Sequence, residues 1–135
     1  MSNETYFRWS YPDEKFSGAI DALVSSFGPN WERMANALLQ ITHLLPAHFP
    51  DQDLYLRTRK LLDFATERGP LMMGDRVYQG SIEHTLRRRK PSSFEKMARE
   101  ISDIYEQIEL RRGDYVPKWI GLLIQGIDQD ANFRD

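Results

Sequence analysis

The sequence predicts an all-α protein, a compact single-domain bundle of five or six helices. Three observations carry that expectation. Apolar residues recur at steps of three and four through most of the chain, glycine and proline punctuate it at helix-length intervals, and period-two alternation is confined to a few ambiguous residues at Arg76 to Gln79. At 135 residues the chain suits one domain, large enough to bury about two-thirds of the surface its unfolded form exposes. No repeat, low-complexity tract or interdomain linker divides residues 1–135, and residues 1–9 and 128–135 are expected to be peripheral or frayed.

Each element has its own signals. Ser10 can cap a first helix through Asp13 to Phe27, with Phe16, Ile20, Leu23, Val24 and Phe27 inward and Gly28-Pro29 ending it. Asn30 can cap a second, in which Trp31, Met34, Leu38, Ile41 and Leu45 form one stripe that Pro46 stops. Asp51 can cap a third, running to Arg68 with Leu54, Leu61, Leu62 and Ala65 inward, before Gly69-Pro70. Leu71 to Gly80 reads as an apolar loop, bearing Met72, Met73, Val77 and Tyr78, that packs against the bundle.

A short fourth helix follows from about Ser81 to Arg89. Ser92 and Glu95 then have capping-box spacing, which predicts a sharp start to a fifth helix. Along it Phe94, Met97, Ile101, Ile104 and Ile108 make a narrow apolar seam that ends before Gly113. Val116-Pro117 opens a sixth helix to Ile127, apolar on nearly every side and therefore expected at the centre of the bundle. The same apolarity makes Trp119–Ile127, like the Phe94–Ile108 seam, a candidate homodimer surface.

Composition bounds the function. There is no cysteine, which excludes disulfides, thiolate metal sites and a cysteine nucleophile and favours a reducing, cytoplasmic setting. The start of the chain has neither a basic nor an apolar run, so no signal peptide is visible, and no stretch reaches the roughly 20 apolar residues of a membrane span.

Catalytic patterns fall short of what their chemistry demands. His43 and His48 are separated by Pro46 and cannot make a one-turn metal pair, while Asp51 and Asp53 read as a cap and a first-turn anion. Glu100, Asp103, Glu106 and Glu109 recur as on a magnesium-holding helix, but no second acidic helix faces them, so a solvated face is expected. Ser25-Ser26 and Ser92-Ser93 lack elbow glycines, Gly69-Pro70 and Gly74 make no phosphate loop, and Arg112-Gly113-Asp114 reads as a basic last turn and its glycine. His84 beside Glu83 reads as a solvent-facing histidine. No catalytic residue, metal or cofactor is expected.

Charge distribution is the strongest functional signal. The total of −2 hides three blocks: residues 1–56 hold three basic and seven acidic residues, residues 57–99 eleven and five, and residues 100–135 four and eight. The middle block peaks at Arg87-Arg88-Arg89-Lys90, expected in solvent at a helix junction and tolerant of charge reversal, with Arg57, Lys60, Lys96 and Arg99 adding to the same basic surface. Guanidinium forks beside a helix N-terminus suit anions. The basic residues precede the fifth helix instead of lining it, and the pI is about 5.9, so an acidic protein is the expected partner of a non-catalytic adaptor. Phosphate-backbone contact to nucleic acid is the alternative.

Overall fold

The computed structural model describes residues 8–25 and 27–113. They form helices α1 (Ser10–Ser25), α2 (Asn30–Ile41), α3 (Gln52–Ala65), α4 (Ser81–Leu86) and α5 (Pro91–Arg112). A 3₁₀ turn at Pro46–His48 precedes α3, and strands β1 (Leu71–Met73) and β2 (Arg76–Gln79) lie between α3 and α4. The all-α expectation holds, with one small hairpin added. The sixth helix expected from Val116, including the Trp119–Ile127 surface and the frayed tail at 128–135, lies outside the described residues.

Helix α5 organises the packing. Met97, Ile101, Ile104 and Ile108 are buried with 2 % exposure or less, and Phe94 is half-buried against them. Helices α1, α2 and α3 all pack on α5, so the seam is covered within the chain and is not a free homodimer surface. The capping box is not formed. Pro91, with its fixed backbone angle, opens α5 as its first residue and Lys90 takes the cap position without a side-chain bond, which leaves Ser92 inside the helix. Glu95 turns along the helix to Arg99 instead, at 2.6 Å.

Helices α1 and α2 form an antiparallel hairpin about Gly28, whose φ of 114° is open to glycine at little cost. Phe16 and Ala19 are buried and Ile20 and Leu23 partly so, but α1 stops at Ser25, and Val24 and Phe27 are 76 % and 94 % exposed. In α2 Met34, Leu38 and Ile41 are buried as expected, together with Ala37. Pro29 holds the cap position in place of Asn30, and α2 ends at Ile41, so Leu45 falls outside the stripe and is exposed while Leu44 turns inward. Trp9 is 1 % exposed and joins the core, so the peripheral N-terminal stretch does not extend to it.

In α3 Leu54, Leu61, Leu62 and Ala65 are all buried, along with Thr58, whose hydroxyl donates to the Leu54 carbonyl at 2.8 Å. The helix ends at Ala65, short of Arg68, and the chain leaves through Gly69 at φ 66°. Asp51 occupies the cap position but makes no capping bond. Its carboxylate and that of Asp53 both accept from Arg111 of α5, at 3.0 and 2.8 Å, which clasps the start of α3 to the end of α5. At α1, Asp13 is buried and lies 2.8 Å from the guanidinium of Arg112.

The stretch read as a packed loop is an exposed β-hairpin. Gly74-Asp75 is its two-residue turn, with Gly74 at φ 62°, the positive value that hairpin turns demand at the first position. Pairing runs Met73 to Arg76, Met72 to Val77 and Leu71 to Gln79, which leaves Tyr78 as an extra residue on β2. Met72, Met73, Val77 and Tyr78 are exposed and only Gln79 is buried. Successive strand residues face opposite sides, so the ribbon could turn at most one of its two apolar rows onto the bundle. The hairpin is anchored instead through the buried Gln79, whose side-chain oxygen accepts from Arg88.

Two outcomes test this packing. Ile104→Ala should cost about 2–5 kcal/mol by cavity formation, whereas Phe27→Ala should stay within about 0.5 kcal/mol; urea unfolding followed by circular dichroism measures both. Hydrogen bonding from Arg111 holds the Asp53 carboxyl below its ordinary range. A depressed folded pKa stabilises the protein above the unfolded value of about 4 and loses that contribution as pH falls through the folded one. Arg111→Ala should therefore flatten this part of the dependence of melting temperature on pH below about 4, as thermal melts across that range would show.

Candidate partner-binding surface

The basic residues singled out by sequence come from α3, the α4–α5 junction and the first turns of α5. They do not form one uniform cationic patch. Arg57 makes a bidentate pair with Glu100, at 2.6 and 3.2 Å, and this hydrogen bonding holds its guanidinium above the ordinary arginine range. Arg99 pairs with Glu95 along α5. The run at 87–90 splays apart because the chain turns sharply between α4 and α5, aiming successive side chains in different directions.

Three of those four residues are engaged inside the protein. Arg87 lies over the Trp31 ring of α2, 4.8 Å from its centroid, with Glu83 at 3.6 Å. Arg88 donates to the His84 carbonyl at 2.9 Å and to the side-chain oxygen of the buried Gln79 at 3.2 Å, joining junction to hairpin. Arg89 stacks 3.8 Å from the centroid of Phe64, donates to the Phe64 carbonyl at 3.0 Å and pairs with Glu67. It thereby takes up a carbonyl at the end of α3, where a cation also suits the helix dipole. The expectation of a wholly solvated run is corrected on this point: Arg89 keeps only 22 % of its side-chain exposure.

Lys60, Lys90 and Lys96 differ. Each is exposed, and none has an ion-pair or hydrogen-bond partner for its ammonium group among the described residues. Lys60, Leu61 and Phe64 of α3 and Lys96, Met97 and Glu100 of α5 line one groove of about 260 Å³. Its apolar lining comes from Leu61, Phe64 and Met97, and the carboxylate of Glu100 is already taken by Arg57.

Sequence reasoning found the two lysines and placed Leu61 and Met97 on inward stripes, and missed Phe64 between them. Phe64 follows Lys60 by one helical turn and borders the inward stripe of Leu61, Leu62 and Ala65, which is the available signal. Nothing local announces Glu67 or Trp31 as partners of the arginines, because those contacts span 22 and 56 residues of chain.

Residues weighed for other chemistry have structural uses. His48 Nδ1 accepts from the Leu45 amide at 2.9 Å and its ring lies against Tyr11. Asp51 and Asp53 belong to the Arg111 clasp. His84 is half-buried, not solvent-facing, with Nδ1 2.9 Å from the Gly69 carbonyl. Among the described residues no three His, Asp or Glu side chains converge as a metal site, and no helix is long and apolar enough to cross a membrane. Comparison with family models, curated proteins and solved structures finds no match to this chain.

The structural role of Arg89 is directly measurable. Arg89→Ala removes a charge-assisted bond to a helix-end carbonyl and a ring stack, and should lower stability by about 1–2 kcal/mol. Arg99→Ala removes only an exposed pair within one helix and should cost less than about 0.5 kcal/mol. Urea unfolding of the two variants side by side checks the contrast.

Proposed function

We propose that this chain is a non-catalytic binding or adaptor protein that docks an acidic protein partner on the basic surface of α3, the α4–α5 junction and the first turns of α5. One observation carries the reading: Lys60, Lys90 and Lys96 are exposed and unpaired among the described residues, while the arginines around them are held by internal partners. The arginines shape a fixed surface and the lysines supply its unspent charge. Ammonium groups already in water meet a partner's carboxylates with little desolvation, which favours steering and specificity. A cytosolic setting belongs to the same reading and rests on the absence of cysteine.

Nucleic acid fits less well. Backbone binders neutralise on the order of 6–10 phosphates in well-studied cases, and most guanidinium groups here are already engaged. The two partners separate in a polarisation assay with a labelled polyglutamate peptide and a single-stranded DNA of matched charge, at about 50 and 200 mM salt. The parent protein should bind polyglutamate more tightly than DNA, and a variant carrying Lys60→Glu, Lys90→Glu and Lys96→Glu should lose that binding while melting like the parent. Sub-micromolar, salt-sensitive binding to DNA would favour nucleic acid instead. Unchanged binding by the variant would remove this surface from the function.

A further inference from the structure

We propose that the groove between α3 and α5 receives one large apolar side chain of the partner, so that the recognised segment is a short acidic run interrupted by a single Leu, Phe or Trp. This rests on the acidic-partner reading above. The groove joins an apolar floor to two lysines whose ammonium groups have no partner among the described residues. The cleft lined by Met34 and Phe94, by contrast, has as its cation Arg33, which already donates to the Leu23 carbonyl. Leu61 and Met97, 6 % and 2 % exposed, form an apolar floor continuous with the core, and Phe64, 38 % exposed, borders it. Lys60 and Lys96 stand on the two helices that flank it.

Size and charge together select the occupant. At about 260 Å³ the groove falls below the ~300–1,000 Å³ of pockets that enclose drug-sized ligands, and suits a single inserted side chain. Met97 adds an adaptable thioether to the floor, which accommodates rings and branched chains alike. A carboxylate entering the rim meets two unpaired ammonium groups, and the one acid that lines the groove, Glu100, is held by Arg57 at 2.6 Å and does not repel it. A basic or purely polar segment would leave the floor wet and the lysines unmatched.

The larger cleft between α2 and α4, about 450 Å³, lacks this combination, because no lysine or arginine lines it. Interfaces of this kind concentrate their affinity in one buried anchor surrounded by weaker polar contacts. The acidic residues of the partner would set approach and register, and the apolar anchor would set lifetime.

The test uses two labelled peptides of Asp and Glu, identical except for a central tryptophan in one and serine in the other. Polarisation with the whole protein should show the tryptophan peptide binding roughly 10- to 100-fold more tightly, the effect of burying one aromatic side chain. Phe64→Ser, checked for folding by circular dichroism, should abolish that preference while keeping weak salt-sensitive binding of both peptides. Lys60→Glu with Lys96→Glu should lose both. Equal binding of the two peptides to the parent would overturn the groove and leave the acidic-partner reading standing. Binding of neither would remove that reading as well. A tryptophan preference that survives Phe64→Ser would place the anchor elsewhere and overturn the proposal, as would concentration-dependent dimerisation of the parent that Phe64→Ser abolishes, since a second copy would then be the occupant.

Discussion

Burial of the α5 seam is the constraint on which the rest of the structure depends. Met97, Ile101, Ile104 and Ile108 rise through two heptads on one side of a 22-residue helix, and α1, α2 and α3 each close on that side. Helix α3 packs on α5 and α4, both of which pack on α2, so its position relative to the α1–α2 hairpin is set through these two helices. The clasp of Arg111 on Asp51 and Asp53 fixes where along α5 the start of α3 lies, and Arg57 with Glu100 fixes it again further along. Apolar area supplies the cohesion, and these half-exposed ion pairs bridge α3 and α5 at two levels along it.

The arginine run follows from the same architecture. Four adjacent cations on one surface would repel, and the sharp α4–α5 junction resolves this by divergence: Arg87 goes to α2, Arg88 to the hairpin and Arg89 to the end of α3. A charge cluster in the sequence thus becomes three struts in the fold, each ending on an aromatic ring, an amide or a carboxylate. The lysines between and beside them keep their charge toward solvent. Planar guanidinium groups suit stacking and forked bonding, while ammonium groups on flexible stems suit exposed electrostatics, which accounts for the division.

Legibility in the sequence tracked the range of the interaction. The seam was readable because its spacing is local and α5 is long enough to repeat it; the inward faces of α2 and α3 were readable for the same reason. Helix starts were less so. At α5 the proline at 91 and the serine at 92 compete for the boundary, and the proline, whose φ is preset and which needs no amide partner, decides it. The hairpin was missed although Gly74-Asp75 sits between two apolar runs, because the runs are too short for alternation to register. For the candidate site, the cations were visible and their commitments were not: whether Arg89 or Lys90 faces solvent depends on Phe64 and Glu67, brought near only by folding.

The three struts separate charge from shape. Lysine in place of Arg87, Arg88 and Arg89 would leave the net charge at −2 and every electrostatic count of the chain unchanged. It would nevertheless remove two planar groups from the faces of Trp31 and Phe64 and a directed bond from Gln79. A variant with lysine at these three positions would look equivalent by charge and differ in how rigidly α4 is pinned between α2 and α3. The contacts at the junction depend on the planar shape of the cation as well as on its sign.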